Sequence, residues 1–449
     1  MNYTDAFVLR DDGLPDLSEE IRDLLELFRE PRTIVDAVIE NSRSLGRDPE
    51  LRLDELLPHL GTFIEDFVLV PARSADANEL LLQRTLQTLA PGGETYEACY
   101  PTPPRASINY GCAGAAVGLL RIAEARGDPS LLGLAAEWHA RAAALIGTEG
   151  AYYNAEDELA PEILGRITPY HTEAGIHAAA AMIAAARGDA PARRAATAAF
   201  LDASAAPCAE VDITLGRLGS VLAAALLLGI SDGLPEADAL RRFGGETLRA
   251  VWRELDARPD ITQSPDASLG MAHGWAGYLY GTMRWCAASG DPLPPRLADR
   301  LRQLAALKVA HGRGAYWPTR AGDPDAYMPG WCNGSAGQLF TFVLAHSILG
   351  DSEWLQLAEL AAWDCWDGPR GPSSLCCGTA GRAYAVLNLY KHTGDRAWLG
   401  RARELASYAA ATAEETSQRR SALWRGELGV AVLIADLASP ERARMPFFE

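Results

Sequence analysis

The stretch GSAGQLFTFVLAHSILGD (334–351) decides the fold, because it joins a small-residue turn to an apolar segment of helical length and a closing glycine. The turn has the form Gly-x-x-Gly and occurs several times in the chain. In each copy, the second glycine is followed by a segment that is apolar on nearly every side, as in helices that neighbouring helices enclose. Self-similarity of this kind indicates a repeat architecture. The turn recurs at Gly111/Gly114, Gly216/Gly219, Gly274/Gly277, Gly334/Gly337, Gly378/Gly381 and Gly426/Gly429, with a degenerate seventh copy at Thr172/Gly175.

A second landmark closes five of the repeats, where a glycine thirteen residues after the repeat glycine precedes an aspartate. This pattern predicts a glycine that ends the inner helix and an aspartate that caps the next one. The segments that follow have amphipathic spacing and predict outer helices with one wet face. We therefore expect an all-α fold, an α/α toroid of seven helical hairpins, with all seven turns at one end of a central funnel. The closing glycines are Gly127, Gly188, Gly290, Gly350 and Gly394.

Residues 1–105 lack the repeat and are predicted to form an N-terminal helical extension, whereas residues 106–449 form the toroid domain. Residues 18–30 and 31–43 have helical character, and a proline-rich connection follows at 101–105. Two interpretations stay open for the extension. It is either a cap that helps to dock substrate or a set of extra helices that close the toroid.

Charge and apolar content exclude several classes of protein. The chain has 41 basic and 59 acidic residues, a formal net charge of -18, which would repel a nucleic-acid backbone. An acidic surface could bind a cationic peptide segment. The alternative interpretation is that the acidic residues only keep the protein soluble. The first twenty residues have neither the basic nor the apolar part of a secretory signal, and no apolar run is long enough to span a bilayer. We expect a cytoplasmic protein without a membrane span.

Three of the eight cysteines fall at matching turns of different repeats, namely Cys332 in the fifth turn and Cys376 with Cys377 in the sixth. Three thiolates with one open position match a catalytic zinc site. Adjacent residues point apart on a helix, so Cys376 and Cys377 share a metal only if they lie in the turn before it. The alternatives are small buried thiols or a vicinal disulfide, which a reducing compartment disfavours. The remaining cysteines are interpreted as structural: Cys99, Cys112, Cys208, Cys286 and Cys365.

Two further residues are candidates for proton transfer. His273 opens the fourth turn and Asp212 lies in the third. A structural histidine and a simple helix cap are the alternatives for these two residues. His171 holds a similar place in the second turn and is a weaker candidate, whose participation the sequence leaves undecided.

The chain resembles the LanC family of lanthipeptide cyclases and its LanC-like relatives over residues 106–449. Its most specific motifs are Trp331-Cys332-Asn333-Gly334, Cys376-Cys377-Gly378 and Ala272-His273-Gly274. Asp212 and the closing segment SALWRGELGVAVLIADL (421–437) support them. The resemblance implies an α/α toroid with a catalytic Zn²⁺, which agrees with the repeat.

By motif match, the resemblance implies that Cys332 and Cys376 are zinc ligands, that Cys377 takes the third ligand position, and that His273 and Asp212 are catalytic. Cys377 departs from the common pattern, since most relatives have histidine there. The residues after Trp331-Cys332 are also altered. The implied activity is that of a lanthionine synthetase, which adds a peptide cysteine thiol to dehydroalanine or dehydrobutyrine to form a (methyl)lanthionine ring.

The partners implied are a dehydrated precursor peptide and a separate dehydratase or kinase/lyase enzyme. One rival is a LanC-like enzyme that adds glutathione or another small thiol to dehydrated peptides. A second rival is a catalytically silent toroid that serves as a scaffold for a precursor peptide. A glycosidase with paired carboxylates is disfavoured, because the convergent turns carry thiols and one clear aspartate. The sequence does not identify the precursor peptide, its ring pattern or its stereochemistry. It also does not give the docking site of a leader peptide or the oligomeric state.

Overall fold

The computed structural model describes residues 6–9, 17–65, 68–154, 159–413 and 420–449. In these ranges the α-helices are, in chain order, α1 (Glu19–Glu26), α2 (Ile34–Leu45), α3 (Pro49–Glu65), α4 (Ala72–Leu89), α5 (Glu94–Ala98), α6 (Cys112–Arg126), α7 (Leu131–Ala144), α8 (Pro161–Leu164), α9 (Glu173–Ala186), α10 (Ala190–Ser204), α11 (Arg217–Gly229), α12 (Ala237–Ala257), α13 (Trp275–Ser289), α14 (Leu297–Ala306), α15 (Ser335–Leu349), α16 (Ser352–Asp367), α17 (Thr379–Thr393), α18 (Arg396–Thr412) and α19 (Glu427–Asp436). Short 3-10 helices span Leu27–Arg29, Ile261–Gln263 and Pro440–Arg442.

The helices form the predicted α/α toroid, which confirms the fold class. The inner ring consists of the seven helices that begin at the repeat turns, α6, α9, α11, α13, α15, α17 and α19. Consecutive inner helices are in contact, and α19 returns to contact α6, so the ring is closed. The outer helices α7, α10, α16 and α18 pack mainly on the inner helices that precede them, and α12 and α14 complete this layer.

The seventh outer position is filled by a helix from the start of the chain. Helix α4 contacts both α18 and α19. Arg84 of α4 forms an ion pair of 3.1 Å with the buried Glu427, and Asn78 donates a hydrogen bond of 3.0 Å to Ser407. Leu81, Leu82 and Leu89 belong to the toroid core, as their burial shows: 3%, 2% and 0% exposed. This helix therefore closes the outer layer.

A smaller core lies on the N-terminal side of α4. The strands are β1 (Ala6–Leu9), β2 (Arg32–Thr33), β3 (Leu69–Pro71), β4 (Val309–His311) and β5 (Gly314–Tyr316). The smaller core includes buried residues between Phe7 and Leu69, some of them in a three-stranded antiparallel sheet in the order β2-β1-β3. A two-stranded hairpin, β4 with β5, precedes the fifth repeat turn. These small sheets add to the predicted helices without interrupting the ring.

The repeat glycines are required by close backbone approach. A Cβ at Gly277, the second glycine of the fourth turn, would lie 2.0 Å from the carbonyl oxygen of Met271, and one at Gly381 would lie 2.0 Å from that of Leu375. No side chain is accommodated at such a distance. The glycines therefore allow the start of the inner helix to pack directly against the backbone of the residues that precede the turn.

The predicted helix ends are present. Gly127, Gly188, Gly290, Gly350 and Gly394 all have positive φ, between 63° and 79°, as expected for glycines that end helices. The aspartates that follow cap the next helix at three of these places, by accepting a backbone hydrogen bond: Asp189, Asp351 and Asp395.

The last residues of the chain pack inside the ring. Phe448 is fully buried, stacks on Tyr280 at 4.4 Å between ring centroids, and meets the edge of Trp331 at 5.2 Å. Because Trp331 directly precedes Cys332, this aromatic packing supports the turn that carries the cysteine. Across the described part of the chain, none of the helices has both the length and the apolar character needed to cross a membrane.

Candidate functional site

A circuit of backbone hydrogen bonds joins the seven turns at one end of the toroid. Six backbone hydrogen bonds of 2.8 to 3.4 Å each link the residue two places before the first repeat position of one turn to the same position of a neighbouring turn. The hydroxyl of Thr168 in the second turn donates to the carbonyl of Thr214 in the third and completes the circuit. The positions joined are Asn109, Tyr170, Thr214, Ala272, Cys332, Cys376 and Trp424.

The next residue of every turn projects its side chain into the funnel. These seven residues line a cavity of about 270 Å³, which we call the mouth, together with several of the circuit residues. The turns therefore converge at one end, as the repeat predicts. The seven residues are Tyr110, His171, Leu215, His273, Asn333, Cys377 and Arg425.

The three predicted metal ligands meet on one side of the mouth. Cys332 Sγ lies 3.4 Å from Cys377 Sγ, which in turn lies 3.4 Å from Cys376 Sγ, and all three sulfurs fall within 4.8 Å of one another. Thiolates at about 2.3 Å from a tetrahedral zinc are separated by roughly 3.8 Å. Cys376 and Cys377 lie in the turn before α17, as sharing one metal requires. The cluster has the donor type and spacing of a metal centre.

The pKa values of the three thiols differ because the thiols hydrogen-bond to one another. Hydrogen bonds with Cys332 and Cys376, assisted by Arg425, lower the pKa of Cys377 to about 3 against the effect of burial. Hydrogen bonds with the other two cysteines and burial raise the pKa of Cys332. Cys332 lowers the pKa of Cys376 by hydrogen bonding, but Cys377 and burial outweigh this and raise it to about 12. Three thiolates in this volume therefore require a bound cation.

The structure also brings the two candidate proton-transfer residues together. His273 Nδ1 lies 3.0 Å from Asp212 Oδ2, and the hydroxyl of Thr214 lies 3.1 Å from the same nitrogen. The Asp212 side chain is 8% exposed, whereas that of His273 is 45% exposed. Asp212 also accepts a hydrogen bond from the backbone of Leu215 through its other oxygen. A buried carboxylate thus orients an accessible imidazole at the rim of the mouth.

His171 lies in the same mouth but in a different state. It is 5% exposed, and burial, together with repulsion from His273 and Arg425, lowers its pKa to about 3. The imidazole is therefore neutral at physiological pH. Its Nε2 lies 3.2 Å from Asn109 Nδ2. It can orient a neighbouring polar group, but it cannot supply a charge.

Arg425 is a residue of the mouth that sequence reasoning missed. Its Nη1 lies 3.5 Å from Cys377 Sγ and 3.9 Å from Cys376 Sγ. Burial opposes its charge, but the two thiols outweigh that effect and raise its pKa. Aligning the seven turns would have found it, because Arg425 stands in the seventh turn where Cys377 stands in the sixth. The same alignment also reveals Tyr110.

One wall of the mouth is apolar. Leu159, Ile163 and Leu164, in and beside the short helix α8, line it with Leu215 and Met328. Ile163 is 48% exposed, although it is a large hydrophobic side chain. No repeat position predicts Leu159, Ile163 or Leu164, because α8 lies in the connection between the first outer helix and the second turn. The mouth therefore presents apolar side chains as well as the thiols.

The match to known families agrees with this geometry. The model of the family described as lanthionine synthetase C-like protein matches residues 102–449. The chain belongs to this family. The match covers the whole ring of repeat turns and the closing segment at the C-terminus, and it confirms the resemblance drawn from the motifs.

Individual relatives share parts of the chain. A region of 189 residues, 40% of this chain, is 31% identical to glutathione S-transferase LANCL1 of Danio rerio, where it covers 45% of that protein. LanC-like protein GCL1 of Arabidopsis thaliana matches at 31% identity over 189 residues, 40% of this chain and 43% of that protein. The matched region therefore spans less than half of these curated relatives.

A solved structure has the same architecture. Nisin cyclase aligns with a TM-score of 0.56 over 83% of this chain and 95% of its own, at 12% identity. The likeness shows the fold, and it agrees with the closed ring described above.

Proposed function

We propose that this chain is a zinc-dependent lanthionine-forming cyclase, which adds the cysteine thiol of a dehydrated precursor peptide to dehydroalanine or dehydrobutyrine. One observation carries the proposal: three cysteine sulfurs lie within 4.8 Å of one another in a mouth whose rim also holds the His273–Asp212 pair. A thiolate centre and a positioned proton donor are the two groups that thioether formation by conjugate addition needs.

Cys332, Cys376 and Cys377 would hold the zinc and leave its fourth position open to the mouth. When bound, zinc would favour the thiolate form of a substrate cysteine at neutral pH. The substrate thiolate would make four thiolates around one Zn²⁺, which leaves a net negative charge. Arg425, beside Cys377, would offset part of this charge.

His273 would supply the proton that completes the addition. The substrate sulfur forms a bond to the β-carbon, and the electron pair of the C=C bond moves toward the α-carbon and its carbonyl. His273 then donates a proton to the α-carbon, while Asp212 holds Nδ1 and stabilises the protonated ring. The substrate thiol would release its proton to solvent and His273 would regain one from solvent, so no proton is gained or lost overall and the enzyme returns to its starting state.

The substrate would be a peptide that enters the mouth from the open end of the funnel. The apolar wall of Leu159, Ile163 and Leu164 suits the side chains that flank the reacting residues, because burying them excludes water from the developing enolate. Dehydration of serine and threonine would be carried out by a separate dehydratase or kinase/lyase enzyme.

A second candidate is the addition of glutathione to dehydrated peptides. The observation that favours it is the similarity to a Danio rerio protein whose name is glutathione S-transferase. This reaction would use the same cysteines and the same proton donor. It differs in the source of the thiol, which would come from outside the peptide.

An experiment with two peptides distinguishes ring formation from glutathione addition. A dehydrated peptide with a cysteine should lose its free thiol without a change of mass when incubated with the zinc-loaded protein, as alkylation followed by mass spectrometry would show. The same peptide with alanine in place of cysteine, supplied with glutathione, should remain unmodified. Glutathione adducts on the second peptide with no ring in the first would assign the alternative. Cys332→Ala should prevent ring formation in the first peptide, whereas Cys208→Ala, the matched control, should leave it unchanged because Cys208 lies outside the mouth.

A further inference from the structure

A second pair of cysteines lies outside the mouth, where the proposed reaction does not use it. Cys99 Sγ lies 3.7 Å from Cys112 Sγ. Cys112 is the first residue of α6 and is fully buried, whereas Cys99 follows α5 and is partly exposed. Cys99 is therefore accessible to a small solute, whereas Cys112 is buried next to it.

The backbone at this point is held in an uncommon conformation. Cys99 has φ of 49° and the next residue, Tyr100, has φ of 53°, in the left-handed region that side chains other than glycine rarely adopt. The Tyr100 hydroxyl donates to the carbonyl of Ser421 at 2.7 Å, and Arg105 donates to the carbonyl of Tyr100 at 3.1 Å. Such strain persists only where the surroundings fix it, and here it keeps the Cys99 thiol beside Cys112.

Two cations, Arg141 and Arg105, act on the accessible thiol of Cys99. Arg141 lies over the Tyr96 ring at 3.7 Å and donates to the Tyr96 carbonyl. The hydrogen bond with Cys112, opposed by burial and assisted by Arg141, lowers the pKa of Cys99 to about 6, while hydrogen bonding and burial raise the pKa of Cys112. The pair is thus a thiolate at Cys99 held against a thiol at Cys112.

We propose that Cys99 and Cys112 form a redox-active dithiol that a hydroperoxide oxidises to a disulfide, separate from the cysteine cluster of the mouth. The Cys99 thiolate attacks one peroxide oxygen, so that an S–O bond forms and the O–O bond breaks, and the released oxygen takes up a proton from solvent and leaves as water or an alcohol. The sulfur of Cys112 then attacks Cys99, so that an S–S bond forms and the sulfenic oxygen leaves as water. Two thiols lose two electrons in total, and the peroxide gains them.

The geometry favours this order of events. An accessible, low-pKa thiol reacts first, and a resolving thiol close by removes the sulfenic acid before further oxidation. The remaining separation of 3.7 Å is short enough for a side-chain rotation to form the bond. Excess reductant reverses the reaction and restores both thiols.

The test treats the full, zinc-loaded chain with hydrogen peroxide in small steps and maps each cysteine by mass spectrometry, while zinc release is followed in parallel. We expect a Cys99–Cys112 cross-link to form first, with zinc retained, and to disappear with a reducing agent. Cys99 should react at least about tenfold faster than Cys208, because the thiolate is the reactive form. Cys208 is the matched control, since it is also partly exposed but burial raises its pKa.

Two variants sharpen the test. Cys112→Ala removes the resolving thiol, so a reagent specific for sulfenic acid should label Cys99, whereas Cys99→Ser should abolish both the label and the cross-link. The wild-type cross-link needs no variant, so a folding defect in either one leaves the test intact. Equal reactivity of Cys99 and Cys208, or zinc loss before any cross-link, would overturn the proposal.

Discussion

At the scale of single residues, the two positions that precede each repeat turn have different tasks. The first is tied into the backbone circuit, as for Cys332 and Cys376, and the second projects into the mouth, as for Cys377 and His273. The cluster of three thiols arises because the fifth turn has cysteine at the first position and the sixth turn has cysteine at both. The sequence indicates the thiols, but only the closed circuit brings the fifth and sixth turns to within a sulfur–sulfur contact.

His273→Ala should keep the fold and the metal and lose most of the activity, because the imidazole is proposed to transfer a proton and not to bind zinc. General acid–base groups typically contribute about 10²- to 10⁴-fold to the rate. The measurement is the cyclisation rate at fixed zinc content. His311→Ala is the matched control, since His311 also pairs with a buried carboxylate, Asp364 at 2.7 Å, but lies away from the mouth. A His273→Ala variant of near-normal rate would make this histidine structural.

Cys377→His should retain zinc and cyclise more slowly. Imidazole is also a good zinc ligand, but it removes one negative charge from the cluster. A less electron-rich zinc makes the bound thiolate a poorer nucleophile, and this effect should dominate because the substrate thiol is already ionised at neutral pH. Rates across a pH series with one dehydrated peptide measure the balance. Equal or faster cyclisation at unchanged zinc would contradict the electronic argument, and lost zinc would show that the turn accepts only thiolate.

At the scale of helices and turns, most of the architecture could be predicted because short local sequence patterns mark each repeat. Glycines that a close carbonyl requires mark the inner helices, and the Gly-Asp pairs mark the ends of five of the seven inner helices. Asp291 does not cap the next helix, because it accepts a hydrogen bond of 2.8 Å from the indole of Trp285. Local sequence cannot reveal that choice, because it depends on how α13 places its tryptophan.

Gly277→Ala should lower the thermal midpoint of unfolding, since the added methyl group would meet the Met271 carbonyl at 2.0 Å. Overpacking of this kind costs about 1–3 kcal/mol. Gly133→Ala is the control on an outer helix, because it is exposed and has no atom within 4 Å of the added carbon. It should instead raise the midpoint, since alanine favours a helix by up to about 1 kcal/mol. A Gly277→Ala protein as stable as the wild type would contradict the close-approach argument.

At the scale of the whole molecule, closure was the least predictable feature. The seventh inner helix, α19, is partnered by α4, which lies more than three hundred residues earlier in the sequence. No local sequence pattern predicts such a contact. The sequence therefore does not decide whether the N-terminal segment is a cap or a set of helices that closes the toroid. The division of the chain at residue 105 remains a prediction, although α4 contributes to the toroid core.

Two truncations test this closure. Removing residues 1–68 should leave a folded toroid that binds zinc, because the small N-terminal core that it deletes is separate from the main one. Removing residues 1–105 also deletes α4 and exposes α19, so we expect loss of the cooperative thermal transition and aggregation. Matching melting curves for the two shortened chains would show that α4 is dispensable.

The most direct test of the central claim is X-ray absorption at the zinc edge of the zinc-loaded protein, with and without a dehydrated peptide that contains one cysteine. The account predicts one zinc per chain with three sulfur neighbours, rising to four when the cysteine peptide binds and staying at three with a serine peptide. Zinc–sulfur distances should be about 2.3 Å. A sulfur count that does not change on binding, or a protein that does not retain zinc, would contradict the proposed role of Cys332, Cys376 and Cys377 in activating the substrate thiol.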